Sequence, residues 1–122
     1  MKERLESLLE NASSPYYKYK VAAIIECKDG KMFEGVNVET SSPAAGICAE
    51  RNALYNAITN GYKKGYFKAI HLMSASNEEI YPCFVCRQAL YDYMDPDTKV
   101  ICYSNVGETI TTLDELCTYG FG

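Results

Sequence analysis

The hydrophobic positions along the chain follow two rhythms. Leu5, Leu8, Leu9 and Ala12 recur at helical spacing, so residues 2–12 are expected to form an amphipathic helix, stopped by Ser13-Ser14-Pro15. Val21-Ala22-Ala23-Ile24-Ile25 is a short apolar run suited to a buried strand. Lys28-Asp29-Gly30-Lys31 is a hairpin signal, after which Met32 to Glu39 reads as a second, antiparallel strand. Thr40-Ser41-Ser42-Pro43 opens a loop. From Cys48 to Asn60 the rhythm is helical again, with Ala49, Ala53 and Ala57 stacked beside Leu54 and Ile58, and Asn60-Gly61 is a helix stop.

The second half repeats the alternation. Phe67 to Met73 reads as a third strand, Tyr81-Pro82 as a turn and Cys83 to Tyr93 as a helix. Val100 to Tyr103 is the fourth strand, Asn105-Val106-Gly107 a turn, Thr109 to Thr112 the fifth strand, and Leu113 to Cys117 a last short helix. Strands alternating with helices imply an α/β architecture with a layered sheet covered by helices, and the opening hairpin makes the sheet mixed rather than wholly parallel. With 122 residues, no linker and no repeat, residues 1–122 are expected to form a single domain.

Composition narrows the partners. The net charge of −4 argues against binding nucleic acid, which needs a surplus of cations on one face. Lys18, Lys20, Lys63, Lys64 and Lys68 are scattered among tyrosines and read as solvated surface. A small-molecule substrate fits this balance better. No apolar run approaches the ~20 residues of a membrane span. The N-terminal stripe is interrupted by acids, so no membrane partner and no export signal are expected, and the expected location is cytoplasmic. In that reducing compartment, the 6 cysteines are more useful as metal ligands or catalytic groups than as disulfides.

Pro82-Cys83-Phe84-Val85-Cys86 contains a Cys-x-x-Cys pair, which alone suits a redox dithiol, half of a structural zinc site, or chance. Cys48 and Cys83 each begin a predicted helix, and Cys86 lies one turn further on. Helix starts favour thiolates, so the three cysteines are candidate ligands for one Zn²⁺ with an open fourth position. Glu50, two residues after Cys48, puts a carboxylate beside such a metal without ligating it. It is the candidate catalytic proton carrier, a group that a purely structural site does not need.

Cys-x-Glu followed by Pro-Cys-x-x-Cys is the zinc nucleobase deaminase signature in a three-cysteine form. Gly46-Ile47-Cys48-Ala49-Glu50-Arg51-Asn52-Ala53 and Pro82 to Gln88 resemble the two motifs of the cytidine deaminase family, in its small form acting on free nucleosides. Gly35 to Glu39 is similar to the family's ribose-binding strand, Pro15-Tyr16 with Tyr19 and Val21-Ala22-Ala23 to its first substrate loop, and Leu116 to Phe121 to its C-terminal segment.

The resemblance implies a three-layer fold with a five-stranded mixed sheet, one Zn²⁺ per subunit, and pyrimidine salvage by hydrolytic deamination of cytidine or deoxycytidine. It implies that Arg51 offsets the charge of the thiolates, with Arg87 the second choice for that work. It implies that Asn37 and Glu39, on one face of their strand, bind the ribose hydroxyl and that the Ala49 N–H meets the pyrimidine carbonyl. Tyr19 is expected against the base. Phe121 is expected at a neighbouring subunit's site within a homotetramer. Water activated at zinc is expected to attack C4 while Glu50 carries protons to N3 and to the departing amine.

The chain departs from the family pattern at Phe84, Thr40, Tyr17, Tyr19 and Ala22, of which Phe84 is expected either to crowd the pocket or to alter subunit packing. The alternatives are a deaminase of a cytosine-bearing antibiotic such as blasticidin S, a nucleic-acid deaminase, and a non-catalytic zinc-stabilised module with a fourth ligand from His71, Cys27, Cys102 or Cys117.

Overall fold

The computed structural model describes residues 1–121 as a five-stranded sheet between helical layers, and the α/β expectation is met element by element. Helix α1 (Lys2–Leu9) is followed by β1 (Val21–Cys27), β2 (Met32–Val36), α2 (Ala49–Thr59), β3 (Phe67–Ser74), α3 (Phe84–Tyr93), β4 (Lys99–Ser104), β5 (Gly107–Thr112) and α4 (Leu113–Leu116). The sheet order is β2-β1-β3-β4-β5. Only β3 and β4 run parallel, because α3 lies between them in the chain and returns the backbone to the starting end. The other pairs are antiparallel.

Strand β1 explains its own sequence. It has neighbours on both sides and helices on both faces, so the alternation of a half-exposed strand is absent and Val21 to Ile25 are all buried. Toward α2 and α3 it presents Val21, Ala23, Ile25 and Cys27, which join Ile70, Leu72, Leu54, Leu90 and Met94 in the larger core. Toward α1 it presents Ala22 and Ile24, packed with Leu5, Met73 and Tyr103. The hairpin closes at Gly30, whose φ of +91° a side chain would strain.

The largest departures from the expected boundaries are at the ends of α1 and β2. Helix α1 ends at Leu9 rather than at 12, because Ser13 leaves the helical path to bridge Val38, its N–H donating to the Asn37 carbonyl at 3.0 Å. Strand β2 stops at Val36, so Asn37 and Glu39 do not share one strand face as expected. Val38 instead exchanges both backbone hydrogen bonds with Ile47, each 2.9 Å, and pulls the chain away from β1.

Strand β2 is an edge whose outward carbonyls need partners. Helix α2 supplies them: the Asn52 amide donates to the Val36 carbonyl at 3.0 Å and the Asn56 amide to that of Glu34 at 3.4 Å. The edge is thereby covered and α2 is held in register with the sheet. Among the described residues no helix is long and apolar enough to cross a membrane.

Candidate active site

Cys48 is the N-cap of α2 and Cys83 the N-cap of α3. Both have extended backbone, so their side chains swing over the first turn of their helices, where amide N–H groups lack intrahelical partners. The Cys83 Sγ accepts from the Cys86 N–H at 3.4 Å, as a serine would at the same position. The Sγ atoms of Cys48 and Cys83 are 3.8 Å apart, and all three sulfurs of Cys48, Cys83 and Cys86 lie within 4.8 Å of one another.

These sulfurs fit zinc. Two thiolates on one tetrahedral zinc with bonds of about 2.3 Å lie roughly 3.8 Å apart. Three soft donors on two helix starts suit that ion, and no fourth His, Cys, Asp or Glu joins the group among the described residues. The candidates for a fourth ligand are engaged elsewhere. His71 bonds Tyr103 through Nδ1 at 2.8 Å and Glu26 through Nε2 at 3.0 Å. Cys27 and Cys102 are buried in strands, and the Cys117 thiol faces the Arg87 carbonyl at 3.6 Å. A tetrahedral ion here keeps one open position.

The electrostatics of the cluster follow from its density. The Cys48 thiol is pulled down to about 5, first by the hydrogen bond from Cys86 and then, against burial, by Arg51. Cys86 moves the other way, first because its thiol hydrogen-bonds the Cys48 sulfur and then because the site is buried. Arg51 donates from Nη2 to Cys48 Sγ at 3.7 Å. Burial works against its charge, but its bonds to the two sulfurs outweigh that and hold the guanidinium protonated. Arg87 is spent differently: Nε donates to the Pro82 carbonyl at 2.8 Å and Nη1 to that of Leu116 at 3.3 Å. Of the two arginines, only Arg51 reaches a sulfur.

Glu50 is 5 % exposed. Burial, aided by the negative charge of Cys48, pushes its carboxyl up to about 7, so it holds and releases a proton near neutrality. It faces a pocket of about 590 Å³ that also reaches Cys48, Cys83 and Ala49. Ala49 is the first residue of α2, so its N–H has no intrahelical acceptor.

The far wall of the pocket holds Asn37, Glu39 and Tyr19, which the structure therefore brings to the metal cluster. Their side chains also bind the protein itself. Asn37 accepts from the Val21 N–H at 2.8 Å and donates to the Tyr19 carbonyl at 2.7 Å, continuing the ladder that β2 abandons. Glu39 accepts from the Tyr16 and Tyr17 N–H groups at 2.9 and 3.0 Å and from the Ser14 hydroxyl at 2.5 Å. The serine bond comes first among the causes that hold its carboxyl below the usual range.

Phe121 is not at this pocket. It lies at the far end of the chain, 84 % exposed, its carbonyl accepting from Gln88 at 2.9 Å. Phe84 does not crowd the pocket either. It is 78 % exposed, stacks under the Arg87 guanidinium at 4.5 Å, and lines a shallow groove with Tyr55, Val85 and Tyr93 on the outer face of α2 and α3. Sequence reasoning missed Tyr81, which lines the pocket from the turn before Cys83, and Ser14, which reads in the sequence only as part of a helix stop.

A sheet with two helix N-termini bringing three cysteine sulfurs together beside a pocket lined by a buried carboxyl fits a zinc-dependent deaminase. The model of the cytidine and deoxycytidylate deaminase zinc-binding region matches residues 1–103, and the chain belongs to that family. It is 32 % identical over 120 residues to the cytidine deaminase of Mycoplasma genitalium, covering 98 % of this chain and 91 % of that one. The 1.6 Å crystal structure of cytidine deaminase from Burkholderia pseudomallei superimposes with a TM-score of 0.89 at 34 % identity, covering 98 % and 94 % of the two chains. Blasticidin-S deaminase of Bacillus cereus is 29 % identical over 106 residues, covering 81 % of this chain and 74 % of that one.

Proposed function

We propose that this enzyme hydrolyses cytidine and deoxycytidine to uridine and deoxyuridine with release of ammonia, in pyrimidine salvage. The observation that carries this reading is that buried Glu50 lines the same pocket as Cys48 and Cys83 of the three-sulfur cluster. Zinc held by Cys48, Cys83 and Cys86 supplies an acidic position that lowers the pKa of water toward ~7. Glu50 would take a proton from the attacking water and give it to N3 as the water oxygen bonds to C4. It then takes the remaining proton of that oxygen and passes it to the exocyclic nitrogen, and the C4–N bond breaks to leave a carbonyl and ammonia. Arg51 offsets the surplus negative charge of three thiolates on a dication. The free Ala49 N–H suits the pyrimidine carbonyl, Tyr19 suits the base, and Asn37 and Glu39 suit a sugar hydroxyl that both donates and accepts.

The pocket lining favours a nucleoside over a nucleotide. Among the described residues its one cation is Arg51, bonded to the Cys48 sulfur, and it includes the acidic Glu39 and Glu50, which would repel a phosphate. The likeness to blasticidin-S deaminase supports a second reading, an antibiotic substrate with the same cytosine ring. The higher identities to cytidine deaminases favour the nucleoside.

The assembly is a homotetramer with shared sites. The apolar groove of Phe84, Val85, Tyr55 and Tyr93 suits subunit packing, and exposed Phe121 suits a neighbour's pocket. Free thiols at all 6 cysteines suit a reducing cytoplasm, with residues 1–122 acting as one domain.

Zinc-loaded protein incubated with cytidine, deoxycytidine, deoxycytidylate, cytosine, adenosine and blasticidin S, scored for ammonia, tests the reading. Release from the first two compounds is expected. Release from blasticidin S alone, or from none, overturns it. Light scattering that shows only monomer overturns the assembly.

A further inference from the structure

The tyrosine wall of the pocket is held by hydrogen bonds that converge on Ser14. This residue is 6 % exposed, and its carbonyl accepts the Lys18 N–H at 3.0 Å to close a turn in which Lys18 has a φ of +57°. Its hydroxyl donates to Glu39 Oε2 at 2.5 Å and accepts the Tyr19 N–H at 2.8 Å. Among the described residues it is the one side chain that ties the Glu39 carboxylate to Tyr19. The segment does not need this link to stay closed. Asn37 holds Tyr19 and Val21, and Glu39 Oε1 holds the Tyr16 and Tyr17 amides.

The acceptor count shows what the link adds. An ionised carboxylate offers about four lone-pair directions. Two on Oε1 go to backbone amides and one on Oε2 goes to Ser14, so the direction still open lies on the oxygen that Ser14 holds. Asn37 spends its oxygen and one N–H on backbone and keeps one N–H. Both residues line the pocket. One free acceptor and one free donor suit a single hydroxyl.

We propose that Ser14 is a positioning residue for substrate specificity, aiming the open lone pair of Glu39 Oε2 at a sugar hydroxyl. This rests on the reading that Asn37 and Glu39 grip the sugar. Without the Ser14 hydroxyl, Oε2 loses its anchor and the Tyr19 N–H loses its acceptor, while the loop stays tied by Asn37 and Oε1.

The test is steady-state kinetics of zinc-loaded Ser14→Ala, Ser14→Thr and Glu39→Gln on cytidine and on dideoxycytidine, which lacks the sugar's ring hydroxyls. Loss of a hydrogen bond to a charged group predicts a KM for cytidine raised roughly tenfold in Ser14→Ala, with kcat within about twofold and KM for dideoxycytidine unchanged. Ser14→Thr restores the wild-type KM. Should Ser14→Ala fail to retain zinc, Ser14→Cys carries the same comparison with an intermediate rise. An equal rise on both substrates, or none, overturns the assignment. If Glu39→Gln alters the ratio of the two KM values and Ser14→Ala does not, Ser14 alone is misassigned. If Glu39→Gln leaves that ratio untouched, the sugar-grip reading itself fails.

Discussion

A Cβ placed on Gly35 would lie 2.3 Å from the backbone nitrogen of Ala53 and 2.5 Å from the Ala49 carbonyl. Strand β2 and helix α2 therefore touch main chain to main chain, at the turn of α2 that carries Glu50 and follows Cys48. Gly35→Ala forces backbone apart rather than a flexible side chain, and overpacking of this kind destabilises by roughly 1–3 kcal/mol. A lower melting temperature and weaker zinc retention against a chelator are expected together. Unchanged values of both would show that α2 can shift freely.

Zinc content separates ligands from bystanders. Cys48→Ala and Cys86→Ala are expected to abolish stoichiometric zinc. Single replacements of Cys27, Cys102, Cys117 and His71 are expected to keep it, because none of these side chains joins the three sulfurs. Loss of zinc in any of the latter four by metal analysis would close the open coordination position.

Glu50→Gln preserves shape and removes the carboxyl proposed to carry protons. Zinc content is expected to be unchanged while kcat falls by about 10²–10⁴, the usual contribution of general acid–base catalysis. Full activity in this variant would remove Glu50 from the chemistry.

Arg51→Gln removes the guanidinium that faces Cys48. A group supporting a metal ligand typically contributes about 10–100-fold in metal affinity or activity, and a loss in that range is expected. Arg87→Gln is expected to lower stability instead, because Arg87 bonds carbonyls of the α3 start and of α4. A zinc titration beside a thermal melt distinguishes the two outcomes.

On the opposite face of the sheet, Glu26 is held below its ordinary 4.5, first by its hydrogen bond to His71 and, against desolvation, also by Lys68. A depressed folded-state pKa stabilises the protein above the unfolded value, and that contribution disappears as pH falls through the folded value. Glu26→Gln is therefore expected to lower the melting temperature at about pH 7, by a difference that narrows toward about pH 3. Equal losses at both pH values would mean that the side chain acts by packing alone.

Much of this protein is legible along the chain because its signals are local. Helical periodicity puts Cys48 and Glu50 at the start of α2, and Cys83 and Cys86 at that of α3, so the candidate ligands and the candidate proton carrier are legible in the sequence. The element order follows from the alternation of apolar runs and turns. What spacing could not show is which partner wins when several polar groups compete. Asn37 leaves the strand pattern because its side chain takes the place of the β2 backbone opposite Val21, and Val38 pairs with Ile47 instead. Phe84 turns outward onto Arg87, so the residue that departs most from the family motif leaves the pocket open. Arg51 reaches the Cys48 sulfur from one turn along α2, whereas Arg87 is spent on the Pro82 and Leu116 carbonyls. Ser14 and Glu39, 25 residues apart, become partners only when β1 and β2 bring their loops together. The residue types of the metal site were set by the sequence alone, since Cys48 to Glu50 and Cys83 to Cys86 each lie within about one helical turn, and tertiary packing joined the two turns. The shape of the substrate pocket was decided by tertiary structure, since its hydrogen bonds join residues that share no local geometry until the sheet and α2 have packed.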